Sequence, residues 1–397
     1  MTGHVTRKHL FELPEGVIYL DGNSLGPLPT SVSEYVGRMV VDEWGQMLIR
    51  GWNNAGWFTQ PGRVGDMIGR LIGAPAGSVM AGDTLSIKVF QALAAALQMK
   101  PGRKVVLTDS GNFPTDVYMA QGLLDLVDQG HRLRIVAPEE VAESMGDDIA
   151  AVLLTEVDYR TGRRHEMAEI TRAAQAAGSV MIWDLAHSAG AFPVDLAGSG
   201  CEFAVGCTYK YLNGGPGAPA FIYVHPDLAE KARPALQGWM GHNSPFAFDI
   251  DYQPAGGVER MRVGTPPVIQ MSALEKALSV WDGVTLSDVR TASIALMEQL
   301  IAEVEARCPQ LTLASPRDTQ RRGSHVSFRF KDGYAAMQAL IDRGVIGDFR
   351  APDIMRFGVT PLYLDAADIT AAVDIMAEIL STEAWRDEKY QARGAVT

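Results

Sequence analysis

Two oppositely charged residues follow two short apolar segments that the sequence predicts to be buried strands. Asp184 ends the run VMIWD at residues 180–184, and Lys210 comes four residues after FAVG at residues 203–206. Ligands of open α/β sheets bind outside the carboxyl ends of the strands, so we expect both side chains at one binding edge. A lysine amine there can form a Schiff base with an aldehyde cofactor, and a carboxylate can keep the pyridine nitrogen of that cofactor protonated. The pair therefore predicts a pyridoxal 5'-phosphate site.

Each of these residues also has an ordinary interpretation, because acidic strand ends and solvated lysines are common. Their order along the chain, the position of His187 between them and the glycine-rich segment from Gly214 to Gly217 favour a joint role. Glycine and proline in that segment prevent a strand or helix from continuing past Lys210. We therefore expect Lys210 and Asp184 to be catalytic.

The segments WDLAHSAGAFPVDL at residues 183–196 and CTYKYLNGGPGAP at residues 207–219 resemble the kynureninase family. The resemblance covers almost the whole chain, with its motifs in the right order. It implies an α/β protein of the pyridoxal-phosphate transferase fold, fold type I, with a mainly parallel sheet in the large domain and a smaller α+β C-terminal domain. It also implies hydrolysis of the Cβ–Cγ bond of L-kynurenine, or of 3-hydroxykynurenine as well, to an anthranilate and L-alanine.

The order of elements agrees with such a fold. Residues 1–50 are expected to form an arm with one helix, and residues 51–270 the large cofactor-binding domain, in which strands alternate with helices as in a parallel sheet. Residues 271–397 are expected to form the small domain. A long helical tract from about residue 268 to residue 306 is predicted to connect the two domains.

The cofactor contacts are predicted where strands end and helices begin. A helix that starts after Thr84 or Ser86 has free N–H groups and the positive end of its dipole, which suit a phosphate, although many ordinary helices begin in this way. Phe113 and Asp116 belong to another helix entry, which has the alternative of a hydrophobic staple. The cofactor residues that the resemblance implies are Leu85 and Ser86 at the phosphate, Phe113 on the ring, Asp116, Thr155, Asp184, His187, Tyr209 and Lys210. Tyr209 is also the expected acid or base at the substrate carbonyl, unless it anchors the phosphate.

Four residues are expected to bind the substrate. The resemblance gives this role to Asn23 and Ser24 in LDGNSLGP, to Trp52, and to Arg356, which would hold the α-carboxylate. An arginine within an apolar strand is costly unless it is paired, and its planar fork suits a carboxylate. The open alternatives are a plain helix entry for the first two, a core-capping role for Trp52 in an irregular loop, and an edge strand from which Arg356 reaches water.

Two further loops imply a homodimer. The segments GWMGH at residues 238–242 and GTPP at residues 264–267 resemble family loops that reach the partner's cofactor, so that Trp239 and Thr265 would contact its phosphate in trans. Members that prefer 3-hydroxykynurenine tend to carry His in place of Trp52 and Asn in place of Thr265. The residues of this chain resemble the bacterial type, which favours unhydroxylated kynurenine.

Composition limits the remaining possibilities. A chain of 397 residues with 47% hydrophobic and 21% charged residues is typical of a soluble globular protein. The formal net charge of −12 argues against binding to nucleic acid or anionic membranes. The sequence has no apolar leader and no apolar run long enough to span a bilayer, so a cytoplasmic location is expected. The three cysteines lack metal-ligand spacing, so neither a metal site nor a disulfide framework is indicated.

Three rival functions remain open at this point. A cysteine desulfurase or selenocysteine lyase shares the fold and cofactor but needs a mobile, exposed cysteine, and Cys308 in ARCPQL does not match that motif. A non-catalytic cofactor-binding protein would not need Lys210, Asp184 and Arg356 together. A related hydrolase could also act on another β-aroyl alanine.

Overall fold

The N-terminal arm contacts both main parts of the chain. In the computed structural model, which describes residues 5–392 and residue 394, the arm contains β1 (Phe11–Glu12), β2 (Ile18–Tyr19), β3 (Leu28–Pro29) and α1 (Thr30–Arg38), which continues as a π-helix over Met39–Met47. The amide of Gly26 donates to the carbonyl oxygen of Tyr209 at 2.7 Å. This contact holds the segment with Asn23 and Ser24 beside the Lys210 loop.

A seven-stranded sheet forms the centre of the large domain. Its strands are β4 (Val79–Ala81), β5 (Val105–Asp109), β6 (Arg132–Val136), β7 (Ile149–Thr155), β8 (Val180–Asp184), β9 (Phe203–Gly206) and β10 (Phe221–Val224). Their spatial order is β4-β10-β9-β8-β7-β5-β6. Strand β10 is antiparallel to its neighbours β4 and β9, and the other pairs are parallel. The expected mainly parallel sheet is confirmed.

Helices cover both faces of this sheet. They are α2 (Gly51–Asn54), α3 (Gln60–Leu71), α4 (Leu85–Met99), α5 (Pro114–Val127), α6 (Met167–Ala176), α7 (Leu196–Ser199) and α8 (Pro226–Ala229). Alternate strand residues enter two separate cores, because successive side chains of a strand point to opposite faces. Trp183 thus packs in the core with α3 and α6, whereas Ile182 packs in the core with α4 and α5. The prediction of an irregular loop around Trp52 is wrong, since α2 is helical.

The connection to the small domain is not one helix. It consists of α9 (Val268–Ala277), a 3-10 turn over Leu278–Trp281 and α10 (Leu286–Arg307). Gly283 has a φ of +71°, a conformation that ends a right-handed helix, and Thr285 Oγ1 then caps α10 by accepting the amide of Asp288 at 3.2 Å. The predicted helical tract is therefore interrupted at this position.

The small domain packs helices against one four-stranded antiparallel sheet. Its elements are β11 (Thr312–Leu313), β12 (His325–Arg329), α11 (Gly333–Asp342), β13 (Val345–Ile346), β14 (Asp348–Arg350), β15 (Ile354–Gly358) and α12 (Ala366–Ser381). The sheet order is β11-β12-β15-β14, and β13 instead pairs in parallel with β2 of the arm. The hydroxyl of Ser327 on β12 donates to the carbonyl oxygen of Arg160 at 2.6 Å. This face of the sheet therefore lies against the large domain.

The domain division at residues 50 and 270 stays a prediction. Within residues 5–392 and at residue 394, no helix is both long and apolar enough to cross a membrane.

Candidate active site

The carboxyl ends of three parallel strands bring the central residues together. Asp184 is the last residue of β8 and is paired in register with Thr155, the last residue of β7. Lys210 follows the neighbouring strand β9 after a short turn. Its Nζ lies 3.0 Å from Nε2 of His187. The structure therefore gathers these four predicted residues at one edge of the sheet.

Aromatic rings border the Lys210 amine. Its Nζ lies 5.8 Å from the ring centroid of Phe113 and also 5.8 Å from that of Tyr209. Phe113 immediately precedes α5, is partly exposed, and stands edge-on to the ring of Tyr159 with centroids 5.1 Å apart. Phe113 is thus available to stack on a planar ring bound beside Lys210.

Two buried carboxyls lie next to the amine. Burial raises the pKa of Asp184 to about 6, against the opposing attraction of Lys210 and a hydrogen bond from the amide of Ala186 at 2.8 Å. Burial and the negative charge of Asp184 raise the pKa of Asp116 well above its usual range. Both carboxyl oxygens of Asp116 lack a hydrogen-bond partner among the described residues. A buried carboxyl without a partner is costly, which indicates that a donor or cation belongs here.

These residues fit pyridoxal phosphate. The two carboxyls suit a protonated ring nitrogen and a further polar group on the ring, and Lys210 suits the aldehyde. Thr84 occupies the N-cap position of α4 but makes no capping hydrogen bond with its side chain. The first amides of this 15-residue helix, including those of Leu85 and Ser86, can therefore serve a phosphate.

Two neutral histidines connect Lys210 with the small domain. Burial and then the positive charge of Lys210 lower the pKa of His187 well below its usual range. Burial and the nearby Arg356 lower the pKa of His325 to about 3. The two rings have centroids 5.6 Å apart, and His325 has no hydrogen-bond partner on either ring nitrogen among the described residues. At neutral pH, both imidazoles are therefore uncharged.

Arg356 is held in a buried polar group. It lies opposite Asp348 across the β14–β15 pair, and its Nε donates to Asp348 Oδ1 at 2.8 Å while Nη2 donates to Oδ2. Nη2 also donates to Ser24 Oγ at 2.8 Å, and Nη1 donates to the carbonyl oxygen of Tyr159. Strand β15 lies between β12 and β14, so the interpretation of Arg356 as an edge-strand residue with its head in water is wrong.

Three other predicted residues surround these groups. Asn23 is fully buried, and neither atom of its amide has a partner among the described residues. Thr155 donates its hydroxyl to the carbonyl oxygen of Val157 at 3.2 Å. The neighbouring Cys207 thiol and burial raise the pKa of the Tyr209 hydroxyl, so Tyr209 keeps its proton at neutral pH.

The structure does not bring Trp52, Trp239 and Thr265 into contact with these groups within one described chain. Trp52 lies on α2 and stands edge-on to Trp57 with centroids 6.0 Å apart. Trp239 is partly exposed and packs on Phe246 at 5.7 Å. Thr265 is exposed in the loop that lies beside the turn before α4. The roles predicted in trans for Trp239 and Thr265 require a second chain.

Sequence reasoning missed four residues of the site, namely Tyr159, His325, Asp348 and Arg350. Tyr159 touches both Phe113 and Arg356. The alternation of Asp348, Phe349 and Arg350 was a usable signal, because alternate residues of a strand share a face. No comparable sequence signal identifies His325.

The cysteines do not form a reactive site. Cys308 is fully buried at the end of α10, and burial raises the pKa of its thiol to about 11. Cys201 and Cys207 are also buried, and burial raises the pKa of both thiols. Because the thiolate is the nucleophile, these cysteines do not supply the exposed nucleophile of a desulfurase.

Comparison with solved structures shows the fold. The fold is similar to that of an apo cysteine desulfurase from Thermococcus onnurineus NA1, with a TM-score of 0.79 and 16% identity over 94% of this chain and 97% of that one. It is also similar to a C-DES variant with glycine covalently linked to its pyridoxal-phosphate cofactor, with a TM-score of 0.78 and 17% identity over 94% and 99% of the two chains. Identities this low show the fold alone. The fold and the lysine–carboxyl site together define a fold type I pyridoxal-phosphate enzyme.

Sequence relatives define the family. The chain is 47% identical to the kynureninase of Pseudomonas fluorescens over 98% of its own length and 95% of that protein. It is 46% identical to the kynureninase of Burkholderia pseudomallei strain 1106a over the same shares. Residues 289–376 match the kynureninase C-terminal domain. The chain belongs to the kynureninase family, and its activity is hydrolysis of the Cβ–Cγ bond of L-kynurenine.

Proposed function

We propose that Lys210, Asp184 and Arg356 carry out this hydrolysis in one site, with unhydroxylated L-kynurenine as the preferred substrate. The observation that carries the proposal is the placement of the Lys210 amine beside two buried carboxyls at one sheet edge. Tyr159 connects this edge to Arg356, because its ring packs on Phe113 and its carbonyl oxygen accepts from the guanidinium.

The cofactor and the protein have separate parts in the reaction. Bound pyridoxal phosphate supplies an aldehyde for the substrate amine and a ring that accepts electrons from the substrate α-carbon. With the cofactor bound, Asp184 would keep a proton on the ring nitrogen, and Phe113 would stack on the ring. The amides of Leu85 and Ser86 would bind the phosphate. The Lys210 amine would serve as the base that takes the proton from the α-carbon.

Cleavage needs a proton donor at the substrate carbonyl and an anchor at the other end. Tyr209 keeps its hydroxyl proton at neutral pH and would donate it as water adds to the γ-carbonyl. Arg356 would hold the α-carboxylate beside Ser24, which accepts a hydrogen bond from its guanidinium. The unpartnered amide of Asn23, the neighbour of Ser24 in the chain, is a further hydrogen-bonding group. A fixed carboxylate orients the Cβ–Cγ bond relative to the ring.

We expect L-kynurenine to be turned over with a kcat/KM about 10-fold or more above that for 3-hydroxykynurenine, because an apolar Trp52 leaves the 3-hydroxyl unpaired. Anthranilate-type fluorescence measures both rates in cofactor-loaded protein. The Trp52→His/Thr265→Asn variant should narrow or reverse the ratio. Trp44→His, at an exposed tryptophan of the arm, is the control and should leave the ratio unchanged. Absence of product from both substrates would contradict the proposal.

We also propose that the active enzyme is a homodimer in which Trp239 and Thr265 complete the partner's site. Three aromatic rings contact one another on the surface. The ring centroids of Trp239 and Phe246 are 5.7 Å apart, and those of Phe246 and Phe248 are 6.3 Å apart. All three rings are exposed, and Ile250 beside them is 98% exposed. Exposed apolar clusters of this kind support a protein interface.

Mixing two inactive variants tests this arrangement. Lys210→Ala and Trp239→Ala/Thr265→Ala are each expected to be inactive alone. After exchange of subunits, each mixed dimer contains one complete site, so about a quarter of wild-type activity should return if the loops act in trans. Two copies of the Lys210→Ala chain mixed in the same way are the control. No recovery in mixed dimers that have formed would show that the loops act within their own chain.

A cytoplasmic location and a place in tryptophan catabolism and NAD biosynthesis are further parts of the proposal. Membership of the kynureninase family supports them.

A further inference from the structure

We propose that Arg350 is a second ligand of the substrate α-carboxylate, and that Asp348 is the positioning residue that holds Arg350 and Arg356 side by side. The inference rests on the proposed function, because it assigns the carboxylate end of the substrate to this group of residues. Nothing in the family resemblance assigned either residue.

Both guanidinium groups converge on the same two oxygens. Nη2 of Arg350 donates to Asp348 Oδ2 at 2.7 Å and to Ser24 Oγ at 3.2 Å. Nη2 of Arg356 donates to the same Asp348 Oδ2 and to the same Ser24 Oγ at 2.8 Å. Ser24 in turn donates its hydroxyl to Asp348 Oδ2. The two forks are therefore held next to each other by one carboxylate and one hydroxyl.

Strand geometry makes this arrangement specific. Asp348 and Arg350 are two residues apart on β14 and therefore share a face of the sheet. Asp348 lies directly opposite Arg356 on β15. A carboxylate between two arginines on one face can orient both without help from the substrate.

Without Arg350, the buried group around Arg356 would carry no net positive charge to attract a carboxylate. Arg356 and Asp348 form a buried ion pair: the attraction of Arg356 overcomes burial and lowers the pKa of Asp348, so the pair has no net charge at neutral pH. Burial and the charge of Asp348 raise the pKa of nearby Asp21 to about 8, so this carboxyl is largely protonated at pH 7. Arg350 therefore supplies the single surplus positive charge in the group, which matches one substrate carboxylate.

The number of free N–H groups on the two arginines also supports Arg350 as a ligand of the substrate carboxylate. A guanidinium has five N–H groups, and Arg356 uses four of them, on Asp348, Ser24 and Tyr159. It is also 1% exposed. Arg350 uses three, on Asp348, Ser24 and the carbonyl oxygen of Phe349, and its side chain is 34% exposed. Arg356 alone keeps one free N–H, whereas the two arginines together keep three for the two oxygens of a carboxylate.

Substitution of Arg350 by glutamine tests the assignment in the cofactor-loaded enzyme. We expect the KM for L-kynurenine to rise about 10- to 100-fold, with kcat changed less than about twofold, because a charge-assisted contact is lost without disturbing Lys210. The visible absorption of the lysine-bound cofactor should be unchanged. Arg343→Gln is the matched control. Arg343 lies at the end of α11, its side chain is also 34% exposed, and it pairs with Glu378.

A ligand without the carboxylate separates binding from general damage. The α-carboxamide of kynurenine keeps the amine and the aromatic ketone but has no negative charge. Its inhibition constant should be the same for the wild-type enzyme and Arg350→Gln. An unchanged KM for L-kynurenine, or an equal loss of affinity for the carboxamide, would overturn the role of Arg350.

Asp348→Asn tests the positioning role. It should also raise the KM for L-kynurenine, and adding Arg350→Gln to it should cost less than Arg350→Gln costs in the wild-type enzyme, because the second arginine is already displaced. Full additivity would contradict the positioning role. If the glutamine variant does not fold, Arg350→Lys, which keeps the charge but loses the fork, should raise the KM about 3- to 10-fold, and an unchanged value would overturn the proposal.

Different results would contradict the proposed function and the role of Arg350. Lack of turnover by the wild-type enzyme would overturn the proposed function. Turnover by the wild-type enzyme together with a normal KM in the Arg350 variants would overturn only the role of Arg350.

Discussion

Replacement of Lys210 by alanine is expected to reduce turnover of L-kynurenine by about 10⁴-fold or more. The variant loses both the amine that joins the cofactor and the base that moves the α-proton, and a positioned general base alone contributes about 10²–10⁴-fold. It also leaves Asp116 and Asp184 without their nearest cation. Stopped-flow measurement of anthranilate and the visible spectrum of the cofactor-loaded protein together report these losses.

Lys210→Arg is the matched control for charge. A guanidinium keeps the positive charge beside the two carboxyls. It does not form a Schiff base with the cofactor aldehyde, because it stays protonated in proteins. We expect it to restore the stability of the fold but neither the absorption band nor turnover. Survival of both the band and turnover in Lys210→Ala would refute the covalent role of this residue.

Asp184→Asn is expected to reduce kcat by about 10³-fold, since the neutral amide no longer keeps the ring nitrogen protonated. The same substitution should stabilise the cofactor-free protein at pH 7.5. Burial raises the pKa of Asp184 from 3.8 to about 6, and this shift corresponds to about 3 kcal/mol. Asparagine removes the buried negative charge that causes the cost.

The contribution of Asp184 to the stability of the cofactor-free protein depends on pH. The folded, cofactor-free protein binds the Asp184 proton more tightly than the unfolded chain does. The contribution to stability is therefore fully present below pH 3.8 and is lost as the pH rises through about 6. Urea unfolding at pH 4 and pH 7.5 measures it: the advantage of Asp184→Asn should be small at pH 4 and large at pH 7.5.

Cofactor loading should reverse the order of stability. A cationic ring nitrogen next to Asp184 makes the carboxylate favourable, so the loaded wild-type protein should be more stable than the loaded Asp184→Asn variant. Asp195→Asn is a control at an aspartate on the N-cap of α7, where it accepts a backbone amide at 2.8 Å. Asparagine caps a helix about as well as aspartate, so this control should change stability little in either form and should not change kcat. An Asp184→Asn variant with normal turnover would contradict the role of the carboxylate.

Local sequence was sufficient for the large domain and its central residues. Short buried strands that alternate with helices predict a parallel sheet, and such a sheet collects the carboxyl ends of its strands at one edge. This is why Asp184 and Lys210 could be placed together although 26 positions separate them in the chain. The starts of α4 and α5 were also predictable from the sequence. Residue types typical of a helix N-terminus, such as Thr84 and Pro114, act within one turn of the helix.

The partners of Arg356 needed the tertiary structure. Its burial beside Asp348 depends on the register between β14 and β15, and a shift of one residue would turn Asp348 to the other face. Ser24 reaches the same group only because the arm pairs with β13 and hydrogen-bonds to the Lys210 loop. The contact between Ser24 and Arg356 joins residues 332 positions apart, and no local pattern specifies it.

The sequence by itself thus determined the class of chemistry, since an amine and a carboxylate at neighbouring strand ends depend only on local periodicity and chain order. The tertiary structure decided how the substrate end of the site is charged, because that depends on which side chains meet across a sheet and how deeply they are buried. It also showed that Trp52 packs on Trp57 and that Trp239 packs on Phe246. Burial and long-range register are properties of the packed chain, so they become visible only when its parts are assembled.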